Sequence, residues 1–509
     1  MKQIKYIVAG LAVSALLNTS CSDSFLEVES PVNPTIEEYF TTDEHIREAI
    51  VAAYDPLHWP DWGMNEYNPV NIMSEIMADN IWVGGQDKTD NRAWHLMMNY
   101  EAQPTYVMSG LWSVAYSGVK RCNDVIKYLE WAEDVTEYNA AYYAAQVKVL
   151  RVFYYNWLWK FWGNIPYYEE NLETPFIAKQ YKADEVYEFM IKDLESVLNN
   201  KNNLEMKVAD PENYGRVTKA MAYMLYAEIV MYQKDSSRYG KALEYMEEII
   251  NPSSGYKLVN DYTTIFEEEG EWNEESIFEI NYKDDNAVRS WSAPLVAGGT
   301  VLPSLISPHS WPGTEKGIKA GWGFCPVRKE VVDLFEEGDT RGPSTCFNAA
   351  GVEYNKRYQD TGYFLEKYIA KDGNNKDQKA DSEINWNNNL RIYRFSEALL
   401  NAAELIVLTG GDIAKAKIFL NDVRRRAFGD NNIAEIAASI DNIINERRLE
   451  FVGEGKRYWD LIRTGKAAST LIPDSYGYRT NTWTESKKYL PIPQSEIDAA
   501  QGTLTQNNY

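Results

Sequence analysis

The chain has 509 residues, 45% of them hydrophobic, and a formal net charge of −24. That length supports one large core or two to three ordinary domains. The acidity opposes nucleic acid and anionic lipid headgroups, so no nucleic-acid partner is expected, and polyanionic substrates are disfavoured.

Lys2 and Lys5 precede an apolar run from Tyr6 to Leu17, which Asn18, Thr19 and Ser20 close. The run is shorter than the roughly 20 apolar residues of a membrane-spanning helix. Its layout is that of a secretory signal peptide over residues 1–20. Cys21 follows directly, where a bacterial lipoprotein is acylated, with Asn18 standing at the position that usually holds leucine. The alternative is ordinary cleavage near Ser20 that leaves Cys21 a plain thiol. Removing residues 1–20 takes away Lys2 and Lys5 and no acid, which leaves 49 basic and 75 acidic residues and a charge of −26. Residues 21–34 carry two prolines and few helix signals, and read as a lipidated tether.

Helical structure is expected next. Thr42 or Asp43 can cap a helix with Ile46, Ile50, Ala53 and Tyr54 on one face. A loop-like stretch then places Trp59, Trp62, Trp82 and Trp94 among Asp, Asn and Gly. The clearest helix has Tyr143, Val147, Leu150, Tyr154 and Phe161 at helical spacing, and Gly163 and Pro166 stop it. Another follows with Val186, Met190, Leu194 and Val197 on one face and Asp184 as its expected N-cap. Residues 215–251 read as helix, polar turn, helix. Residues 391–428 repeat that grammar around Gly410-Gly411-Asp412, with Ala402, Ala403, Ala414 and Ala416 where two helices would cross closely. Stacked helical pairs of this kind resemble tetratricopeptide units. The expected fold class is mainly α, a scaffold of such pairs with a large irregular, loop-rich ligand-binding region.

That region announces itself by composition. From Ser290 to Cys325, ten of 36 residues are Gly or Pro, against 49 of 509 in the whole chain. Such a loop inside a folded protein is usually functional or disordered, and Trp291, Trp311 and Trp322 argue against disorder.

Catalytic signatures are absent. Four histidines (His45, His58, His95, His309) lack metal-ligand spacing, and there is no P-loop or Gly-x-Ser-x-Gly elbow. No cofactor and no metal are expected. Of the three cysteines beyond Cys21, Cys325 and Cys346 are the nearest pair, and no disulfide is counted on. What remains is aromatic side chains in loops, whose faces stack on sugar rings while Asn and Asp take the hydroxyls. The candidate ligand-binding residues are Tyr67, Trp82, Trp94, Trp291, Trp311 and Trp322, with Asn68 and Asp79 as polar partners. Core packing is the alternative for each ring. Replacing Trp291 or Trp311 by alanine is expected to weaken binding without unfolding the protein.

Several segments converge on one family. These are "LWSVAYSGVKRCNDVI", "AQVKVLRVFYYNWLWKFWGNIPYY", "VVDLFEEGDTRGPS" with its F-x-x-x-D-x-R pattern, "RIYRFSEALLNAAEL", "INERRLEFVGEGKRYWDLIRTGK" and "KKYLPIPQSEIDA". In this order, after a mature start at Cys21, they resemble the SusD/RagB family of outer-membrane nutrient-binding lipoproteins from Bacteroidetes. The resemblance implies one domain over residues 35–509, with a helical scaffold over about 35–250 and 386–509 and a ligand-binding insertion over about 251–385. It implies a lipid-anchored, surface-exposed protein that captures oligosaccharide or polysaccharide without catalysis. It implies a SusC-like TonB-dependent outer-membrane transporter as partner, over which the lipoprotein sits as a lid. Some members take peptides or other nutrients. The rival classes are a glycoside hydrolase, which would release reducing ends, and a helical scaffold that binds only protein. Glu446, Arg447, Arg448 and Glu450 lie within one or two helical turns, and are read as structural ion pairs and not as a binding site.

Overall fold

Apolar faces at helical spacing have to be covered, and here each helix is covered by the next one in the chain. The computed structural model describes residues 34–313, 317–377, 379–429 and 433–509. The signal peptide, Cys21 and nearly all of the tether lie outside these residues. The longer helices are α1 (Asp43–Tyr54), α2 (Ser109–Tyr128), α3 (Glu137–Trp162), α4 (Ala183–Leu198), α5 (Lys219–Gln233) and α6 (Tyr239–Ile250). After a long irregular segment come α7 (Phe395–Thr409), α8 (Ile413–Ala427) and α9 (Ile440–Glu450). Each of α1 to α7 packs on its successor in a continuous stack, and α9 packs back on α7 and, less extensively, on α8. The α6–α7 contact is the notable one, because it joins helices that are far apart in sequence. The protein is mainly α, as stacked pairs of tetratricopeptide type require.

Local chemistry explains the boundaries. Thr42 caps α1, its hydroxyl accepting from the His45 N–H, and Thr136 caps α3 by accepting from Asn139. Gly163, at φ 66°, ends α3. The expected cap of α4 is corrected: Asp184 lies inside the first turn, and the N–H of Lys182 donates to Glu185 instead. The aromatic helix α3 is buried on nearly every side from Gln146 onward. It approaches α2 closely because position 118 is glycine; a Cβ there would lie 2.4 Å from the Tyr154 ring. Ala402, Ala403 and Ala416 are buried at the α6–α7–α8 crossings, whereas Ala414 is exposed and takes no part. Cys122, Cys325 and Cys346 are free, buried thiols.

The irregular segment between α6 and α7 is pinched at its neck. Strand Ser276–Ile280 pairs antiparallel with Leu390–Arg394 immediately before α7. Beyond the neck, the segment packs onto the loops between α1 and α2. Trp82 N–H donates to Pro326 O (2.9 Å), and Cys325 N–H donates to Val83 O (2.9 Å). A second, smaller core forms within it from Trp311, Ile318, Phe347, Ala349, Phe364 and Ile369.

Beneath the neck lies a buried charge cluster. Lys367, Arg341, Arg394, Arg424 and Arg426 face Glu275, Asp339, Glu446, Glu450 and Glu454. A neighbouring set joins Arg447 to Glu397 and Asp460, and Arg463 to Glu404 and Asp460. Charges this deep persist only where each is paired and hydrogen-bonded. The signature on α9 is thus structural; Arg341 of the F-x-x-x-D-x-R segment pairs with its Glu446 and Glu450, and Asp339 holds Arg341 in turn.

These pairs set the acid response. Burial alone would raise the carboxyls of Asp79, Asp460 and Glu228, but the adjacent cations outweigh it and hold each down to about 2. The cations are Arg448 and Arg457 beside Asp79, Arg447 and Arg463 beside Asp460, and Lys160 and Lys456 beside Glu228. Unfolded Asp and Glu titrate near ~3.9 and ~4.3. Above about pH 5 the stabilisation is therefore fully present, and it is lost as pH falls from there towards about 2. Denaturant midpoints measured from pH 6 to pH 2.5 are expected to fall steeply only below about pH 5; a flat profile would contradict the assignment.

Candidate ligand-binding site

The site is built where the loops between α1 and α2 meet the irregular segment. Asp61 is buried and accepts a two-pronged contact from Arg289, at 3.0 Å from Nη1 and 2.7 Å from Nη2. The rest of that guanidinium bonds to the carbonyls of Trp62 (2.8 Å), Pro294 (2.8 Å) and Gly299 (2.7 Å). One arginine thus fixes the two loops that carry Trp62 and Trp291. Gly299 lies against the backbone of Asn385, where a Cβ would come within 2.2 Å of its carbonyl carbon. Asn385 Nδ2 in turn donates to the carbonyls of Arg289 (2.7 Å) and Asp381 (2.8 Å).

Four half-exposed rings stand on this frame in a closed circuit. Trp62 meets Trp291 edge to face at 5.4 Å, Trp291 meets Trp322 at 6.0 Å and 30°, Trp322 meets Tyr67 at 5.7 Å, and Tyr67 returns to Trp62 at 4.5 Å. Polar groups rim them. The Trp291 N–H donates to Asp381 (2.9 Å), the Trp322 indole N–H points at Glu383 (3.4 Å), and Arg357 donates to the Trp322 carbonyl (2.7 Å). Glu383 is exposed, with its backbone carbonyl held by the Ser304 hydroxyl (2.7 Å). Burial, then the charges of Glu383 and Asp90, push the Tyr67 phenol up to about 12, so it keeps its proton as a donor. The arrangement offers flat apolar faces at fixed angles beside hydrogen-bonding groups of both kinds.

The structure brings together three of the rings expected from sequence, Tyr67, Trp291 and Trp322. It turns the other three inward. Trp82 is 1% exposed, with the Arg328 guanidinium 3.5 Å from its ring centre. Trp94 is 2% exposed; its indole N–H donates to the Tyr67 carbonyl (3.0 Å), so it supports the platform from behind. Trp311 is 5% exposed and is the largest side chain of the second core. The two polar candidates are also committed elsewhere. Asn68 is buried, and its amide donates to Glu66 (3.0 Å). Asp79 pairs with Arg457 (2.8 Å) and Arg448 (2.9 Å). Trp62, Asp381, Glu383 and Arg357 were not among the expected site residues. The expectation for Trp311→Ala therefore reverses: a loss of about 3–5 kcal/mol of stability is predicted from the cavity it leaves, read as a lowered denaturant midpoint, with the four-ring platform untouched.

Comparison with known proteins gives a consistent picture. The model of the SusD family matches residues 344–509. The chain is similar to the solved structure of surface glycan-binding protein A from Bacteroides thetaiotaomicron in complex with laminarihexaose. Identity is 65%, the TM-score is 0.88, and the match covers 92% of this chain and 100% of that one. Surface glycan-binding protein A from Bacteroides uniformis is 51% identical, with a TM-score of 0.84 over 92% of this chain and 100% of that one. A curated SusD-like protein of Bacteroides ovatus is 22% identical over 93% of this chain and 84% of its own length.

Proposed function

The chain belongs to the SusD family, and from that premise we propose that it is a surface glycan-binding protein that captures a laminarin-type glucan without cleaving it. The observation that carries the reading is the four-ring circuit of Trp62, Tyr67, Trp291 and Trp322, held by the Asp61–Arg289 clamp and rimmed by Asp381, Glu383 and Arg357. Sugar rings stack on such faces, and their hydroxyls pair with carboxylate, guanidinium and phenol. The similarity at 65% identity to a protein solved with laminarihexaose supports that ligand class.

The two carboxyls raised furthest among the described residues are not placed as a glycosidase pair. A glycosidase needs a carboxyl raised towards neutrality beside a second carboxylate. Here burial raises Glu75 and Glu271 to about 7, and both are bonded into the scaffold. Glu75 accepts from Asn80 and the Gly455 N–H, and Glu271 accepts from the Asn389 N–H.

In the same reading, Cys21 carries a lipid that holds the protein at the outer membrane, and the tether lets the body stand off the surface. The captured glycan passes to a SusC-like TonB-dependent transporter. Affinity electrophoresis of residues 22–509 through laminarin and through acidic polysaccharides, with a reducing-end assay on the same mixtures, tests this. Retardation by laminarin with no new reducing ends is expected. New reducing ends would favour a hydrolase, and no retardation by any glycan would favour a peptide ligand or a pure scaffold.

A further inference from the structure

A second group of partly exposed aromatic rings is joined to the platform through the Arg357–Tyr358 dipeptide. Tyr476 is 52% exposed, and it stacks on Tyr478 at 5.7 Å and 19°. Tyr478 meets the half-exposed Tyr358 at 5.5 Å. Exposed rings on a mobile loop would say little, but this loop is fixed. The Asp474 carboxylate accepts from the backbone N–H groups of Tyr476 (2.7 Å), Tyr478 (3.3 Å) and Arg479. Arg479 is buried and donates to the carbonyls of Met98 (2.9 Å) and Ala78 (2.6 Å). Asn99 holds the next two residues, accepting from the N–H groups of Thr480 (2.7 Å) and Asn481 (3.2 Å). Beneath the tyrosines, the buried Trp82 meets both edge to face, at 6.2 and 5.2 Å. Arg328 pins that indole from 3.5 Å.

The two aromatic groups are neighbours. Arg357, whose guanidinium bonds to the Trp322 carbonyl, is followed directly by Tyr358, whose N–H donates to Gly85 O (3.0 Å). One dipeptide therefore links the platform to the tyrosines. The pre-ordered rings carry both a stacking face and a hydroxyl, that of Tyr476 engaged with Glu330, so that binding has little left to order.

We propose that Tyr358, Tyr476 and Tyr478 form a second sugar-stacking subsite, continuous with the platform and engaged only by glucan chains that extend beyond it. The proposal rests on the capture reading above, and its test separates the two. Calorimetry of the wild type and of the Tyr476→Ala/Tyr478→Ala double variant is run against laminarihexaose and against polymeric laminarin. The double variant is expected to bind the hexaose as the wild type does and the polymer about tenfold more weakly, as two lost ring contacts imply. Tyr476→Ala alone, at the most exposed ring, should show part of the same polymer-specific loss, which guards against a folding defect in the double variant. Wild-type affinity for the polymer in both variants would overturn the subsite and leave the capture reading standing. Equal losses on both ligands would overturn the length dependence. A wild type that binds neither glucan would overturn the capture reading, and the subsite with it.

Discussion

Replacing Glu450 by glutamine is expected to cost about 3–5 kcal/mol of stability, the range for removing one partner of a buried ion pair. Glu450 is fully buried. Its carboxylate accepts from Arg394 (2.9 Å), Arg426 and Arg341 (3.3 Å), which come from three separated parts of the chain. Burial alone would raise its pKa, yet Arg426, Arg394 and Arg341 hold it well below the usual carboxylate range. Glutamine keeps the shape and removes the charge, so three guanidinium groups stay buried with one carboxylate fewer between them. The expected phenotype is a chain that unfolds at a much lower denaturant concentration or fails to accumulate. Glu336→Gln is the control. Its carboxylate pairs with Arg424 (2.9 Å) but is 63% exposed, and exposed pairs contribute about 0–1 kcal/mol. Equal effects from the two substitutions would show that burial does not govern this cluster.

Trp322→Ala is expected to have the opposite profile. The ring is half-exposed and touches Trp291 and Tyr67, so little core packing is lost with it. Its removal breaks the four-ring circuit at its centre and takes away the indole N–H beside Glu383. Aromatic anchors of this kind contribute about 2 kcal/mol or more at binding sites, so laminarihexaose affinity should fall about 30-fold or more. The thermal midpoint should stay within a few degrees of the wild type. A large drop in that midpoint with unchanged affinity would make Trp322 a packing residue.

Much of the scaffold was legible because it rests on local periodicity. Val147, Leu150 and Tyr154 mark α3, and its cap and stop residues are adjacent in sequence. The charge signature on α9 was legible as ion pairing, since Glu446, Arg447 and Glu450 are spaced for a helix. Its partners were not, because Arg341, Arg394 and Arg426 are brought in by chain topology. The site was legible only in part. Loop composition picked out Tyr67, Trp291 and Trp322, which the fold brings together, but it does not say which way a ring turns. For two of the rings that turn inward, a local signal exists. Trp94 precedes Met97 and Met98 at helical spacing, and Trp82 lies in the unbroken apolar run Ile81-Trp82-Val83. Both patterns are those of core residues. Trp62 carries no such mark. It sits three residues from Trp59, which is buried with the Arg121 guanidinium over its ring, while Arg289 holds the Trp62 carbonyl at the site.

The most direct test is a calorimetric titration of residues 22–509 with laminarihexaose, for the wild type and for Trp322→Ala side by side. Saturable binding by the wild type, lost or much weakened in a variant of unchanged thermal midpoint, is the predicted result. No binding by the wild type, or equal affinity in the two, would contradict the assignment of the platform as the glycan site.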